Sequence, residues 1–303
     1  MRAIAKFALR GPASAAVSAS VYAVFALFFP LFMTISGAVI GLSTLRLGAS
    51  VGCRVLAVAM VLAGLVYFLL LRDASAVLIL AAGWIPVLLV GQVLRVTENQ
   101  GLSMALCASF AMLYTTVVRV TVPDVGAYWL AWIQTLSDAI RDQGGTLFEP
   151  EEIIVVAEIM HEATIIVVCL YWMSAVLIAR WWQAGLFNPG GFGAEFRLLV
   201  IPRLVSPFAA IVAILVLLSL LTGREKGLAS DLLIVLVVLF AFQGLALLHH
   251  RVNQIGMATG WLVGFYLLLM LMPHLLGLML GFIGIADTVV DFRRLRNRKS
   301  STQ

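Results

Sequence analysis

The stretch RLVSPFAAIVAILVLLSLLTGREKGLASDLLIVLVVLFAFQGLALLHHR, residues 203–251, decides the fold class. Two apolar runs, about 203–222 and 228–248, stand on either side of the charged turn GREKG. Each has about 20 residues, the length a helix needs to cross roughly 30 Å of hydrocarbon. The apolar residues are continuous rather than alternating, which points to helices and away from an outer-membrane barrel. If both runs cross, Arg203 and Arg251 fall on one side of the bilayer, and Arg224 and Lys226 on the other.

The same pattern extends over the whole chain. Ten apolar segments can be drawn, at about 13–29, 31–47, 52–71, 75–94, 101–119, 162–180, 203–222, 228–248, 255–272 and 274–289. Only Pro30 separates the first pair and only Pro273 the last. Each of these pairs is either a tight helical hairpin or a broken or re-entrant helix, so the expected count is eight to ten membrane segments. With the N-terminus in the cytoplasm, fifteen of the 20 basic residues fall inside. These include Arg2, Lys6, Arg10, Arg46, Arg54, Arg95, Arg180, Arg197 and the C-terminal cluster DFRRLRNRK. Arg72, Arg119, Arg141, Arg224 and Lys226 fall outside. The excess of cytoplasmic Lys and Arg sets the expected orientation, with both termini cytoplasmic.

Composition agrees. The 303 residues are 62% hydrophobic and 12% charged, with mean hydropathy +1.07. So few charges would not solvate a soluble protein of this length. The net charge of +5 is read as topological, which leaves no case for nucleic acid as a partner. Cys53, Cys107 and Cys169 all lie in apolar segments and read as packing residues. The N-terminal MRAIAKFALR resembles a signal-peptide n-region, but another apolar segment follows its apolar run at once, so a retained first helix is expected.

The expected domain organisation is one integral membrane unit, 1–303, with two features outside the bilayer. The segment at about 121–161, taken with Glu162, holds Asp124, Asp138, Asp142, Glu149, Glu151, Glu152, Glu158 and Glu162 against one basic residue, Arg141. Within it Trp129, Trp132, Ile133, Leu136 and Ile140 recur at helical spacing. This predicts an extracytoplasmic amphipathic helix lying on the outer membrane surface, ended by Gln143-Gly144-Gly145. Thr146 and Glu149 have capping-box spacing, and Pro150 suits the first turn of a second helix that runs on into the sixth crossing. The second feature is a cytoplasmic loop at about 181–202, where Asn188-Pro189-Gly190-Gly191 marks a turn. The larger expectation for the outer segment is a lid that packs on the bundle; a substrate gate is the sharper alternative.

Small residues spaced by four let helix backbones approach closely in lipid. Ala15, Ala19 and Ala23 form one such row; Gly37 with Gly41, Gly260 with Gly264 and Gly277 with Gly281 form others. Internal packing is the bland reading, and a docking seam for a partner membrane protein is the alternative, with Ala15, Ala19 and Ala23 the candidate. Polar groups inside membrane helices are costly and default to functional candidates. Asp231, Gln243 and His274 are the candidate substrate-binding residues, with helix capping and interhelical bonding as their plainer readings. Asp287, Asp291 and Arg294 have the spacing of a helix-surface ion pair. Glu158, His161 and Glu162 share a face that suits metal ligation, but no fourth ligand accompanies them, so no metal or other cofactor is expected. Phosphate-loop, serine-hydrolase, zinc-protease and paired-cysteine motifs are all missing, and the chain is not expected to be an enzyme.

Two motifs, ARWWQAGLFNPGGFGAEFRLLVIPR at 179–203 and GFIGIADTVVDFRRL at 281–295, together with the all-helical layout, resemble the YybS-like family of bacterial membrane proteins. That family is more loosely similar to the substrate-binding membrane subunits of energy-coupling-factor vitamin transporters and to the rod-shape protein MreD. The resemblance implies an all-α polytopic bundle in a bacterial cytoplasmic (inner) membrane. It also implies docking of a partner subunit through residues spaced by four on the first helix, which Ala15, Ala19 and Ala23 match. The functional expectation is a transport-type subunit that binds a small-molecule ligand between helices and works with an ATPase or another membrane subunit. The alternative is a non-transporting scaffold or assembly factor that recruits partner proteins.

Overall fold

Helices account for all the regular structure among the described residues, as expected of a chain whose backbone polar groups must be satisfied without water. The computed structural model describes residues 2–223, 227–258, 260–290 and 292–293. Arg224, Lys226, Asp291, Arg294, Arg296, Arg298 and Lys299 lie outside the described residues, and with them the expected pairing of Asp287, Asp291 and Arg294. The helices are α1 (Arg2–Ala8), α2 (Pro12–Ala26), α3 (Leu31–Leu47), α4 (Ala49–Leu71), α5 (Ala76–Thr97), α6 (Gln100–Thr121), α7 (Val125–Arg141), α8 (Pro150–Phe187), α9 (Gly191–Phe196), α10 (Val205–Leu221), α11 (Leu228–Ile255), α12 (Gly260–Leu271) and α13 (Pro273–Val290). Each of the ten apolar segments lies on one of these helices, and among the described residues six helices are long and apolar enough to cross a membrane. The chain is an all-α polytopic membrane protein.

Local chemistry sets the helix starts. The Asn99 side chain accepts the Leu102 N–H at 2.9 Å and caps α6; Asp124 accepts the Ala127 N–H at 2.9 Å and caps α7. α8 starts at Pro150, where the Glu152 side chain accepts the Glu149 N–H at 2.9 Å. The capping box therefore sits three residues later than the Thr146–Glu149 spacing suggests, because Pro150 fixes the first turn. Between α4 and α5, Asp73 accepts the Ser75 hydroxyl and the Ser75 N–H, and these bonds hold its carboxyl below the usual carboxylate range.

α3 is the axis of the N-terminal half. Its residues Ser36 to Leu45 are all buried, packed by α2, α4, α5 and α8. Gly37 lies against Tyr171 and Ala175, and Gly41 against Ala179 and Val87. The row at Gly37 and Gly41 thus brings α8 close to α3. α8 also belongs to the second core, in which Cys169, Trp172, Met173 and Val176 pack with residues of α5, α6, α10 and α11. Pro86 removes a backbone donor inside α5. Near this break, the Trp172 indole N–H donates to the Gly83 carbonyl at 3.2 Å.

The two proline junctions differ. Around Pro30, α2 and α3 form an antiparallel hairpin: the Ser36 hydroxyl donates to the Ala19 carbonyl at 2.7 Å, and Tyr22 stacks on Phe32. At Pro273 the helix is broken at Met272, with the bonds Met272 N to Leu268 O and Leu276 N to Met272 O on either side. α12 buries none of its side chains. It is tied to α11 by the contact of His249 Nε2 with the Tyr266 hydroxyl at 2.8 Å.

The apolar stripe of α7 is divided: Trp132 and Leu136 stay exposed, while its other side packs on α8. Ile133 is buried with Ile153 and Ala157 of α8, and Trp129, Leu130, Val156 and Met160 pack around them. α7 and the first turns of α8 are thus an antiparallel helical hairpin. The sequence stripe fits a bilayer or a neighbouring helix equally well; the neighbour is supplied by α8, which runs unbroken for 38 residues.

Candidate functional site

Asp231, one turn into α11, is 1% exposed, and both its carboxylate oxygens are engaged. Arg119, at the end of α6, approaches in a fork, with Nε 2.7 Å from Oδ2 and Nη2 2.9 Å from Oδ1. His161, from α8, places Nε2 3.0 Å from Oδ2. An ionised carboxylate only accepts, so His161 presents its Nε2–H to Asp231. Three helices are joined here by charge-assisted bonds at the end of the bundle that carries the α7–α8 hairpin. His161 stands where the hairpin portion of α8 passes into its long uncharged stretch, so the contact fastens the base of the hairpin.

A second network lies at the opposite end. Gln243 is 0% exposed. Its Oε1 accepts the Ile201 N–H at 2.8 Å, and its Nε2 donates to Asp287 Oδ2 at 3.0 Å and toward Thr288 at 3.3 Å. Asp287 also accepts the Phe292 N–H at 3.2 Å and has Arg293 at 3.5 Å, while Arg293 donates to the Leu199 carbonyl at 3.0 Å. Nearby, Arg180 pairs with Glu195 at 2.9 Å through Nε and also bonds Gln183, and Gln100 donates to the same Glu195 at 3.0 Å. Together these bonds hold the loop 188–204 and α9 onto α6, α8, α11 and α13.

The three candidate substrate-binding residues are not brought together. Asp231 and Gln243 are twelve residues apart on α11, about 18 Å along its axis. His274 is exposed at the start of α13 and joins neither network. Glu158 is exposed while His161 turns inward to Asp231, so the Glu158–His161–Glu162 face does not gather; no group of three metal-ligating side chains is found among the described residues.

The alanine row is occupied by the chain itself. Ala15, Ala19 and Ala23 are each 0% exposed and pack with Ala38, Val55, Ala59 and Ala63. The Ser36 hydroxyl bonds the Ala19 carbonyl, and the Tyr67 hydroxyl bonds the Ala23 carbonyl at 2.9 Å. The docking seam expected there gives way to internal packing, because α3 and α4 cover that face. Ala19→Leu is therefore expected to destabilise the chain itself by about 1–3 kcal/mol through overpacking, seen as a lower melting temperature of the isolated protein. An unchanged melting temperature would put a free surface back at this row.

Two hollows stand out among the described residues. A groove of about 560 Å³ runs along α12, lined by Ala258, Gly260, Trp261, Gly264, Phe265 and Leu268. A cavity of about 40 Å³ lies by the second network, between Val200, Arg203, Asp287 and Thr288. The first is an apolar surface feature, and the second has room for water but not for an organic solute.

Sequence reasoning singled out Asp231 and Gln243 but missed their partners. The signal for Arg119 was present: the charge model puts it on the same side of the membrane as Asp231. Glu195 and Arg180 flank the NPGGF turn, where a pair fifteen residues apart has no helical spacing to reveal it.

The family described as "Predicted membrane protein (DUF2232)" has a model that matches residues 195–288. The match covers about a third of the chain, from α9 through most of α13, and includes Glu195, Asp231, Gln243 and Asp287. No curated protein and no solved structure matches the chain. The likeness to the vitamin-transporter subunits and to MreD finds no counterpart in these comparisons.

Proposed function

We propose that this multi-pass membrane protein is a non-transporting scaffold that recruits partner proteins, rather than a small-molecule carrier subunit. In this reading it sits in a bacterial cytoplasmic membrane with both termini in the cytoplasm, as the distribution of basic residues favours. The observation that carries the proposal is that Asp231 and Gln243, the buried polar groups offered as solute ligands, are already occupied by partners within the chain. Asp231 is fully used by Arg119 and His161, and Gln243 by Ile201, Asp287 and Thr288. A binding site for a polar solute needs groups that the solute can satisfy. Both networks instead act as braces: one fixes an external hairpin and the other fixes a cytoplasmic loop, and these are the two features through which a scaffold would meet partners. The uncharged middle of the helices also lacks the ionisable relay of a proton-coupled carrier.

Thermal melting of the purified chain against a panel of vitamins, amino acids, nucleosides and sugars tests this reading. The expected result is no shift, with a protein partner retained in roughly stoichiometric amount when the chain is isolated gently from its native membrane. A compound that raises the melting temperature, and ceases to do so in Gln243→Ala or Asp231→Asn, would overturn the scaffold reading and restore the carrier.

A further inference from the structure

The α7–α8 hairpin leaves apolar side chains uncovered beside a helix that is longer than the hydrocarbon of a bilayer requires. α8 has 38 residues, about 57 Å of helix, whereas hydrocarbon is about 30 Å thick. Its uncharged stretch, Ala163–Ala179, lies between Glu162 and Arg180, so the larger part of the surplus, 150–162, falls at its N-terminal end. From Pro150 to His161 it projects by about 16 Å. α7 packs along this projection, with Ile133 against Ile153 and Ala157. One edge of α7 remains bare: Tyr128, Trp132 and Leu136, spaced by four, are 51%, 47% and 37% exposed. Leu136 stands about 16 Å along α7 from Val125.

Around this edge the charge is of one sign. Asp124, Asp138, Asp142, Glu149, Glu151, Glu152 and Glu158 are all exposed, against the single exposed Arg141, whose pair with Asp138 at 3.1 Å is a weak surface contact. Carboxylates at this density disfavour anionic lipid headgroups and a second copy of the same face, and they attract a cationic surface. Tyrosine and tryptophan are side chains that anchor protein interfaces. The hairpin is also held in place before any partner arrives, since Asp231 clamps its base through His161 and so lowers the ordering cost of association.

We propose that the Tyr128–Trp132–Leu136 edge of this hairpin docks a basic, apolar-anchored segment of a protein on the outer side of the membrane. Tyr128, Trp132 and Leu136 take the partner's apolar side chains, and Asp138 and Asp142 face its lysines or arginines. The inference rests on the scaffold reading and adds to it the face used and the chemistry of the partner.

Site-specific photocrosslinking of the full-length chain in its native membrane tests it. A benzophenone amino acid is placed at position 132 or 136, and separately at position 198 in the cytoplasmic loop. The expected result is a protein adduct at 132 and 136 whose contact peptide is rich in Lys and Arg. Its yield should fall by about tenfold, the factor for 1.4 kcal/mol, in the Asp138→Lys, Asp142→Lys double variant, while that variant's melting temperature stays within a degree or so. Adducts at 132 and 136 formed only with lipid, or only with a second copy, overturn the docking inference, and so does a protein adduct indifferent to the charge reversal. If adducts appear at 198 alone, the docking inference fails and the scaffold reading stands. If no position gives a protein adduct, the scaffold reading itself fails.

Discussion

Arg119→Leu is expected to cost about 3–5 kcal/mol, the range for removing one partner of a buried ion pair. The reason is the charge left behind. Asp231 is almost fully buried, and Arg119 supplies two of its three polar contacts. Without Arg119, His161 alone faces the carboxylate. Since Arg119 itself keeps about a quarter of its side-chain surface exposed, water entering from that end places the expected value toward the lower limit. Asp231→Leu removes the charge that needs compensation, so the double variant Arg119→Leu, Asp231→Leu should regain most of the loss. Melting of the three variants in one detergent separates the effects. A double variant no more stable than Arg119→Leu alone would mean that the guanidinium acts through packing and not through the charge of Asp231. The hairpin gives a second readout. Protease cutting near Gly144 and Gly145 should accelerate in Arg119→Leu, because the clamp at the base of α7 and α8 holds the hairpin to the bundle.

The fold class was open to sequence reasoning because lipid imposes one rule on every residue. Runs of apolar residues 20 long leave few alternatives, and each of the ten drawn segments lies on a helix. The start of α8 was legible at Pro150, whereas the Asp124 cap of α7 was not read in advance. What failed was pairing. Periodicity tells which face of a helix is apolar or small, but not which neighbour covers it. Ala15, Ala19 and Ala23 looked like a seam for a partner and are covered by α3 and α4. Of the stripe Trp129, Trp132, Ile133, Leu136 and Ile140, Trp129 and Ile133 pack on α8 while Trp132 and Leu136 remain exposed. Asp231 and Gln243 were rightly singled out as buried polar groups, yet their partners come from residues 42 to 112 positions away along the chain. Such contacts depend on how the helices are arranged relative to one another, which one helix's pattern does not encode. The two proline junctions show the same limit: Pro30 and Pro273 read alike in sequence, and one joins a packed hairpin while the other begins a helix whose predecessor packs on almost nothing.

The glycine rows allow a sharper comparison, and from it follows the second large expected effect. Gly284→Leu should be among the most damaging single substitutions in the chain. A Cβ built at Gly284 overlaps the carbonyl oxygen of Phe240, and one at Gly244 overlaps the carbonyl oxygen of Leu280. At Gly281 the nearest atom is the Val237 carbonyl oxygen, 3.1 Å away. Here α11 and α13 meet backbone to backbone, and a carbonyl does not swing aside as a side-chain tip does. The helices must separate, which loses their packing and draws Asp287 away from Gln243. Overpacking alone costs about 1–3 kcal/mol. Each lost bond between buried groups adds about 1 kcal/mol, so a total near 4 kcal/mol is expected. Gly244→Leu should behave alike. Gly277 and Gly264 belong to rows with the same spacing in the sequence, but a Cβ at either meets nothing within 4 Å, so Gly277→Leu and Gly264→Leu should be close to neutral. Comparing melting temperatures and monodispersity across the four variants tests whether backbone contact, rather than glycine spacing, holds α13 to α11. Equal effects at Gly284 and Gly277 would refute it. The outcome also bears on the 188–204 loop. Arg293, just past the end of α13, holds the Leu199 carbonyl, so if α13 leaves α11, the 188–204 loop loses one of its braces. The scaffold reading then expects Gly284→Leu to weaken any partner contact made through that loop.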